Sequence, residues 1–130
     1  MSGGARRGRL VVIVDDTRDC AAALEVALAA GGLFEVWSCT SAEEALERIG
    51  SQTPFAVVTD IHLPGISGLA LIARLREQYP RTGLKIIAVS GDGCPQLREQ
   101  ALSAGAQIFF PKPYSPLTVR RALEELVNEE

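Results

Sequence analysis

The chain has 130 residues, of which 47% are hydrophobic and 22% are charged, and its formal net charge is −3. This length suits a single domain with one core, and the composition excludes a disordered chain. The acidic balance argues against a surface built for nucleic acid, and no apolar stretch approaches the roughly 20 residues that a membrane-spanning helix needs.

Predicted strands and helices alternate along the sequence. An unbroken apolar run with β-branched residues over 10–14 predicts a strand covered on both faces, which is typical of a parallel sheet. A helix is predicted to follow over 17–30, ended by a Gly-Gly pair. Further strands are predicted at 34–38, 55–59, 85–89 and 107–110, and further helices at 41–49, 67–79, 95–104 and 115–127. Five alternations predict a doubly wound parallel α/β sheet with helices on both faces.

Capping residues mark two of the helix starts. Thr40 or Ser41, with an acidic residue three positions on, predicts a capping box for the second helix. Ser115 followed by Pro116 predicts an N-cap and a proline at the first position of the last helix. Both patterns support the helix boundaries given above.

The domain boundaries follow from composition. Residues 1–9 are rich in Gly and Arg and are predicted to form a flexible N-terminal tail, the alternative being an electrostatic arm. The domain itself is expected to span 10–127, followed by a short C-terminal end at 128–130. No effector module is predicted after residue 127, so any output would pass through a protein partner, through dimerisation or through another part of a longer chain.

The cysteines bear on the compartment. Cys20, Cys39 and Cys94 are odd in number and lack C-x-x-C spacing, so neither a disulfide framework nor a zinc site is indicated. We therefore predict that all three are small packing residues in a reducing environment. A cytoplasmic protein is expected, since residues 1–9 also lack the apolar segment of a secretory leader.

Polar residues follow four of the five predicted strands at their C-terminal ends: Asp15 and Asp16, Asp60, Ser90 and Lys112. In a parallel sheet these ends share one edge, which is where open α/β sheets bind ligands. Three carboxylates in one crevice repel strongly, and one lysine does not neutralise them. A hard divalent cation such as Mg²⁺ does, because it prefers oxygen ligands.

The same residues suit phosphoryl transfer. One carboxylate would remain as a nucleophile that forms an aspartyl phosphate. Mg²⁺, the Lys112 ammonium and the Ser90 hydroxyl would bind the three equatorial phosphoryl oxygens. Taken singly, each residue has an ordinary explanation as a helix cap, a turn hydroxyl or a solvated loop charge. Their convergence at one edge is what favours a site.

The motifs resemble the receiver domain of two-component response regulators (CheY-like), over about residues 10–127. The matching pieces are the Asp-Asp pair at 15–16, the D-I-H-L-P-G segment at 60–65 with Gly68 beyond it, Ser-Gly at 90–91 and Lys-Pro at 112–113. The resemblance implies a flavodoxin-like sheet of five strands in the order 2-1-3-4-5, with five helices.

The resemblance also implies a phosphoacceptor and a metal site. Asp60 would accept the phosphoryl group. Asp15 and Asp16 would hold Mg²⁺, or Mn²⁺ in its place, together with the Asp60 carboxylate and the backbone carbonyl of His62. No other cofactor is implied.

Three further roles are implied around the phosphoryl group. Ser90 and Lys112 would contact its oxygens. Ser90 and Phe109 would form a switch in which the aromatic ring turns inward. Phe109 lacks the hydroxyl of the tyrosine often found there, so it would switch by packing alone, and the alternative is a fixed core aromatic. The bond between Lys112 and Pro113 is a candidate cis peptide.

His62 and Asp92 lie two residues beyond Asp60 and Ser90. In receivers these places flank the path of the attacking water, so both residues are predicted to tune the lifetime of the phosphorylated state. The alternative for His62 is an exposed loop residue without a role.

By the resemblance, the function is a phosphorylation-dependent signalling switch that receives its phosphoryl group from a histidine kinase or a histidine phosphotransfer protein. The chain would catalyse only its own modification and slow dephosphorylation, so it is not expected to be a metabolic enzyme. A phosphorylation-dependent dimer and a downstream protein target are expected, without nucleic acid or membrane contact through this domain.

Two alternatives are a degenerate receiver that serves as a binding scaffold and an aspartyl-phosphate hydrolase. The hydrolase is disfavoured because His62 stands where such enzymes carry a second aspartate.

Overall fold

Strands and helices alternate along residues 8–129, which are the residues that the computed structural model describes. The strands are β1 Arg9–Val14, β2 Phe34–Cys39, β3 Ala56–Asp60, β4 Lys85–Ser90 and β5 Ile108–Pro111. The helices are α1 Arg18–Ala30, α2 Ala42–Ser51, α3 Gly68–Gln78, α4 Pro95–Ala104 and α5 Pro116–Asn128. All ten predicted elements are present, with ends shifted by at most two residues. Most of the predicted N-terminal tail, residues 1–7, lies outside the described residues.

The five strands form one parallel sheet in the order β2-β1-β3-β4-β5. This confirms the predicted flavodoxin-like order. The chain first winds outward from β1 to β2, then returns past β1 to β3 and continues to β4 and β5. The direction of winding therefore reverses between β1 and β3, and this reversal opens a crevice at the carboxyl edge of the sheet.

Both faces of the sheet are covered by helices, because successive residues of a strand point to opposite faces. Val11 and Ile13 pack in the cluster that includes residues of α1 and α5. Val12 and Val14 pack in the cluster that includes residues of α2, α3 and α4. All four side chains are at most 1% exposed. The apolar run at 10–14 is thus covered on both sides, as its composition predicts.

Helix capping agrees with the sequence in one case and differs in another. The Ser41 hydroxyl accepts a hydrogen bond from the Glu44 amide at 3.1 Å, and the Glu44 carboxylate accepts one from the Thr40 amide at 3.0 Å, so Ser41 is the N-cap of α2. Ser115 occupies the N-cap position of α5, but its hydroxyl makes no capping hydrogen bond. Its backbone carbonyl accepts from the amides at 118 and 119 instead.

The prediction that all three cysteines pack inside is wrong for Cys94. Cys39 is buried, Cys20 is partly exposed and Cys94 is exposed, each as a free thiol. Cys94 is the N-cap residue of α4 in a surface loop, where its thiol donates a hydrogen bond to the Gln96 side chain at 2.8 Å. Burial raises the pKa of Cys39 to about 11, with a smaller contribution from the charge of Glu44.

None of the helices within residues 8–129 has the length and apolar character needed to cross a bilayer. The longest, α1 and α5, have 13 residues each.

The start of α3 lies directly against the last residue of β3. Gly68 is the first residue of α3 and is buried, and its amide donates a hydrogen bond to the Ile61 carbonyl at 2.8 Å. A Cβ atom at this position would overlap the backbone oxygen of Asp60 and the Cα atom of Ile61. The absence of a side chain at Gly68 therefore sets how closely α3 approaches the strand that carries Asp60.

Gly68→Ala is expected to lower the free energy of unfolding by about 1–3 kcal/mol, because the added methyl group meets backbone atoms that cannot turn aside. Urea denaturation measures this loss. Gly50→Ala is the matched control, since Gly50 lies in α2 with no atom within 4 Å of the added Cβ. The control is expected to gain roughly 0.5–1 kcal/mol. Similar changes in the two variants would contradict the close approach of α3 to β3.

Candidate functional site

The register of the sheet places polar residues side by side at its carboxyl edge. Val14 pairs with Thr59, so the residues that follow them, Asp15 and Asp60, stand next to each other. Lys112 directly follows the last residue of β5, at the same edge. Residues that are far apart in sequence therefore meet because parallel strands end together.

Lys112 bridges two of the acidic residues. Its ammonium nitrogen lies 2.9 Å from Oδ2 of Asp60 and 3.0 Å from Oδ2 of Asp15. The exposed fraction is 15% for the Lys112 side chain, 9% for that of Asp60 and 2% for that of Asp15, so both ion pairs are largely shielded from water. Burial by itself would lower the pKa of Lys112, but the hydrogen bonds to Asp60 and Asp15 and the charges of both carboxylates outweigh it and raise the pKa. Lys112 is therefore a cation throughout the physiological pH range.

The second oxygen of each bridged carboxylate binds the turn that follows its strand. Oδ1 of Asp60 accepts a hydrogen bond from the His62 amide at 3.0 Å. Oδ1 of Asp15 accepts one from the Thr17 amide at 2.8 Å. Both carboxylates are thus held in orientation from two sides, by Lys112 and by their own loops.

The acidic cluster fits a divalent cation. Asp15, Asp16 and Asp60 offer carboxylate oxygens that all lie within 4.8 Å of one another, with Asp16 exposed and the other two buried. One lysine compensates one of these three negative charges. Hard oxygen ligands with excess negative charge and one open, solvent-facing side are what Mg²⁺ prefers, because it retains several of its own waters. The three carboxylates predicted to hold the ion are therefore brought together, and the contribution of the His62 backbone carbonyl stays a prediction.

Ser90 is fully buried at the end of β4. Its hydroxyl oxygen accepts a hydrogen bond from the Asp92 amide at 3.0 Å, and its carbonyl accepts one from the Lys112 amide at 2.8 Å. Ser90 is therefore tied both to the loop after β4 and to the residue that carries the ammonium group.

The two residues predicted to tune the phosphorylated state are in contact. Nε2 of His62 lies 3.2 Å from Oδ2 of Asp92, and both side chains are exposed. The pair joins the loop after β3 to the loop after β4 on the solvent side of the site. The sequence indicates each residue separately, whereas their contact is visible only in the structure.

Phe109 lies on β5 and is half-buried, packed against the core cluster that faces α2, α3 and α4. It lines a groove of about 520 Å³ between β5 and the start of α4, together with Asp92, Cys94 and Pro111. Pro111 ends β5, which is an edge strand, so its missing amide leaves no strand partner unsatisfied. The following bond, from Lys112 to Pro113, is cis, as expected.

Tyr114 belongs to the site but was not predicted to do so. It is half-buried beside the acidic cluster, and burial, followed by the charges of Asp15 and Cys20, raises its pKa to about 12. It lines a cavity of about 230 Å³ with Cys20 and Lys112. In the sequence, only its place two residues after Lys112 hints at this position, because an aromatic residue at the start of a helix is ordinarily a packing residue.

Comparison with known proteins agrees with this geometry. Residues 11–124 match the family described as the response regulator receiver domain. The chain is 34% identical over 108 residues to the DNA-binding transcriptional regulator NtrC of Escherichia coli K12, covering 81% of this chain and 22% of NtrC. It is 36% identical over 105 residues to the C4-dicarboxylate transport transcriptional regulatory protein DctD of Rhizobium meliloti, again covering 81% of this chain and 22% of the relative. The chain thus spans about a fifth of the length of these relatives.

Solved structures agree as well. A putative response regulator from Chloroflexus aurantiacus is 32% identical, with a TM-score of 0.84 over 93% of this chain and 98% of that one. A CheY-like receiver domain protein from Methanospirillum hungatei is 26% identical, with a TM-score of 0.86 over 94% and 95% of the two chains. The family match covers nearly the whole sheet and all residues of the acidic site, from Asp15 to Lys112. The chain therefore belongs to the response regulator receiver domain family.

Proposed function

We propose that the protein is a phosphorylation-dependent switch in which Asp60 accepts a phosphoryl group from a histidine of a kinase or a phosphotransfer protein. The observation that carries this proposal is the Lys112 ammonium, which lies 2.9 Å from the Asp60 carboxylate within a cluster of acids at the carboxyl edge. A buried lysine in this place both orients the nucleophile and offers a positive charge to the incoming phosphoryl oxygens.

The transfer exchanges one bond to phosphorus for another. A bond forms between phosphorus and an Asp60 carboxylate oxygen while the bond from phosphorus to the histidine nitrogen breaks, and the electron pair of the broken bond stays on the imidazole. The Lys112 ammonium, which donates a hydrogen bond to Asp60, then donates one to a phosphoryl oxygen. The Ser90 hydroxyl donates to another of these oxygens. Both residues act where charge accumulates during the transfer.

Asp15, Asp16, the Asp60 carboxylate and the backbone carbonyl of His62 would hold Mg²⁺, with Mn²⁺ as the alternative ion. When bound, Mg²⁺ supplies positive charge that offsets the repulsion between the acidic cluster and the phosphoryl oxygens. The close spacing of the three carboxylates supports this assignment, because Lys112 compensates only one of their charges.

The response would begin at Ser90 and Phe109. In the unphosphorylated protein the Ser90 hydroxyl accepts a hydrogen bond from the Asp92 amide. Rotation of this hydroxyl toward the phosphoryl group moves its oxygen relative to that amide. Phe109 borders the groove between β5 and α4, which offers space for a ring that moves inward. As a phenylalanine it contributes packing and no hydrogen bond.

The phosphodonor would dock beside Lys112 on the α1 side. The cavity bordered by Cys20, Tyr114 and Lys112 is mostly apolar and adjoins the exposed side of α1. Val26 on that side is 69% exposed, and the neighbouring small residues Ala22 and Ala23 are also exposed. Apolar contact therefore suits the partner better than charge pairing. The cytoplasm is the proposed setting, which three free thiols support.

The first test is phosphorylation by a small acyl phosphate in the presence and absence of Mg²⁺, followed by intact mass spectrometry. We expect the wild type to gain one phosphoryl group only with Mg²⁺, and Asp60→Asn to gain none. Asp19→Asn is the control, because Asp19 is an exposed acid on α1 and should leave labelling intact. Rapid release of phosphate would indicate a hydrolase instead, and a chain that is never labelled would indicate a binding scaffold.

The second test removes the charge that compensates the acids. Lys112→Met is expected to lower the free energy of unfolding at pH 7 by about 3 kcal/mol, because it leaves buried carboxylates without their cation. Added Mg²⁺ should restore part of this loss. Because the pKa of Lys112 is raised, its stabilisation is complete below the unfolded value of about 10.4 and is lost only as the pH rises through the folded pKa.

The control for this test is Lys85→Met, which alters the only other lysine of the sequence. The side-chain ammonium of Lys85 donates a single hydrogen bond, at 3.4 Å, to the carbonyl of Arg81. Urea denaturation of both variants, with and without Mg²⁺, should separate them clearly. Equal losses for the two lysines, or no effect of Mg²⁺ on Lys112→Met, would argue against a compensated acidic cluster.

The third test concerns the pair of His62 and Asp92, which covers the solvent side of the site. His62→Ala and Asp92→Ala are expected to speed hydrolysis of the aspartyl phosphate by up to about fivefold each, since an exposed pair contributes roughly 0.2–1 kcal/mol. The double variant should be no faster than the faster single variant, because the two residues act through one contact. Loss of label over time after removal of the acyl phosphate measures the rate. Unchanged rates in both single variants would rule out this role.

A further inference from the structure

The two outer strands of the sheet, β5 and β2, differ in how well they are protected against pairing with a further strand. β5 has four residues and ends at Pro111, and both shortness and proline discourage strand addition. β2 has six residues, and none of them is a proline, a glycine, a lysine or an arginine. The outer side of β2 therefore lacks the residues that usually block an edge strand.

The backbone of β2 presents alternate residues to this outer side. The carbonyl of Leu33, directly before β2, accepts a hydrogen bond from the Arg9 amide of β1. The carbonyl of Cys39 accepts one from the Asp15 amide. Because successive residues of a strand direct their N–H and C=O groups to opposite sides, the odd-numbered residues bond to β1. The residues that direct both groups outward are Phe34, Val36 and Ser38. No strand within residues 8–129 pairs with this side.

Apolar side chains flank the outer side of β2 on both faces of the sheet. Val36 packs on the face of α1 and Trp37 on the face of α2, and both are half-buried. Leu33 is 44% exposed, which makes it one of the most exposed large apolar residues among those described. An added strand would cover this apolar surface as well as the outward backbone groups.

A second copy of β2, running antiparallel, fits this side in one register. With Val36 on a two-fold axis, Val36 faces its own symmetry mate and Phe34 faces Ser38 of the second copy. The outward groups then match at three places with two hydrogen bonds each, about six in all. Sliding the second copy by two residues in either direction leaves two matched places. In one of these directions Glu35 also lies opposite its symmetry mate, where like charges repel.

The favoured register also brings opposite charges together. Glu35 points to the same face as Trp37, two residues away, and forms no ion pair with any described residue. The Arg48 guanidinium lies 5.2 Å from the centre of the Trp37 ring, and its one ion pair among residues 8–129 is a 3.9 Å contact with Glu44. With Val36 on the axis, Glu35 stands opposite Trp37 of the second copy, with their Cβ atoms roughly 4.5–5.5 Å apart. Its carboxylate then meets the guanidinium that covers that ring.

We propose that the chain forms a symmetric dimer through β2, in which the two five-stranded sheets continue into each other. The contact is closed, because each copy uses the same side of the same strand. The two carboxyl edges point in opposite directions, so each copy keeps its own acidic site. Neither Asp60 nor Lys112 takes part in the contact, and the dimer is therefore independent of the proposed function. Asp60→Asn should dimerise as the wild type does.

Sedimentation equilibrium of the full chain, from about 1 μM to about 1 mM, measures the dissociation constant of the dimer. Glu35→Arg is expected to raise this constant about tenfold, because it places like charges together at two symmetric positions. The double variant Glu35→Arg with Arg48→Glu should restore dimerisation, since it exchanges the two charges. Glu47→Arg is the matched control. It makes the same change at an exposed position of α2 that points about 100° away from Arg48.

Val36→Pro tests the backbone contact directly. The substitution removes an amide that points outward and leaves the hydrogen bonds to β1 in place, and edge strands tolerate proline in this orientation. We expect a monomer at every concentration with the far-UV circular dichroism of the wild type. Where this variant does not fold, Glu35→Arg still tests the dimer.

Amide hydrogen exchange, resolved by residue and measured at low and high protein concentration, identifies the strand that pairs. Formation of the dimer should slow exchange of the amides at 34, 36 and 38 by about tenfold or more and leave those at 35, 37 and 39 unchanged. A chain that stays monomeric would overturn the dimer and leave β2 to an extended segment of another protein. A dimer in which the even-numbered amides keep their exchange rates would overturn it too, as would equal weakening by Glu35→Arg and Glu47→Arg.

Discussion

The pair of hydrogen-bonded ion contacts from Lys112 to Asp15 and Asp60 is the constraint on which the rest of the site depends. A cation site needs several carboxylates in one place, yet such carboxylates repel each other when no ion is bound. Lys112 binds both buried acids and so reduces the repulsion between the carboxylates. It compensates one of their three negative charges and leaves the other two for a cation. Since breaking one side of a buried pair costs more than the intact pair contributes, the position of Lys112 is effectively obligatory.

The parallel sheet supplies this arrangement through its register. A shift of one residue between β1 and β3 would turn each buried side chain toward the wrong layer of helices, so burial on both faces fixes the pairing. That same pairing sets Asp15 beside Asp60. The apolar core thus positions the charged site. The close contact between Gly68, at the start of α3, and the backbone of Asp60 also restricts the position of Asp60.

Polar groups at the two edges of the sheet have opposite roles. At the carboxyl edge, single hydrogen bonds link the buried Ser90 at the end of β4 to Asp92, and Asp92 to Cys94, in the exposed loop that follows. At the amino edge of β4 and β5, Arg76 and Gln107 each bind several partners at once. A region with many shared bonds opens less readily than one held by single bonds. The amino edge of β4 and β5 is therefore held more firmly than the loop after β4 at the carboxyl edge.

All ten elements and the sheet order were predictable because burial periodicity, caps and turn residues are local properties of the chain, and the resemblance supplied the order. The acidic cluster with Lys112 was predictable too, since its members all stand at or just after the carboxyl ends of strands. The contact between His62 and Asp92, the place of Tyr114 and the exposure of Cys94 were not, because they depend on how loops lie against each other.

Local patterning thus specifies which residues follow the strands and what chemistry they offer. Contacts such as those from Lys112 to Asp15 and Asp60 join residues 97 and 52 positions apart. Four of the five hydrogen bonds of Arg76 reach backbone carbonyls, at residues 79, 80, 84 and 105, and the fifth reaches the side chain of Gln107. Side-chain identity alone says nothing about such partners, since hydrogen bonds form only where packed elements bring donors and acceptors within about 3 Å of one another.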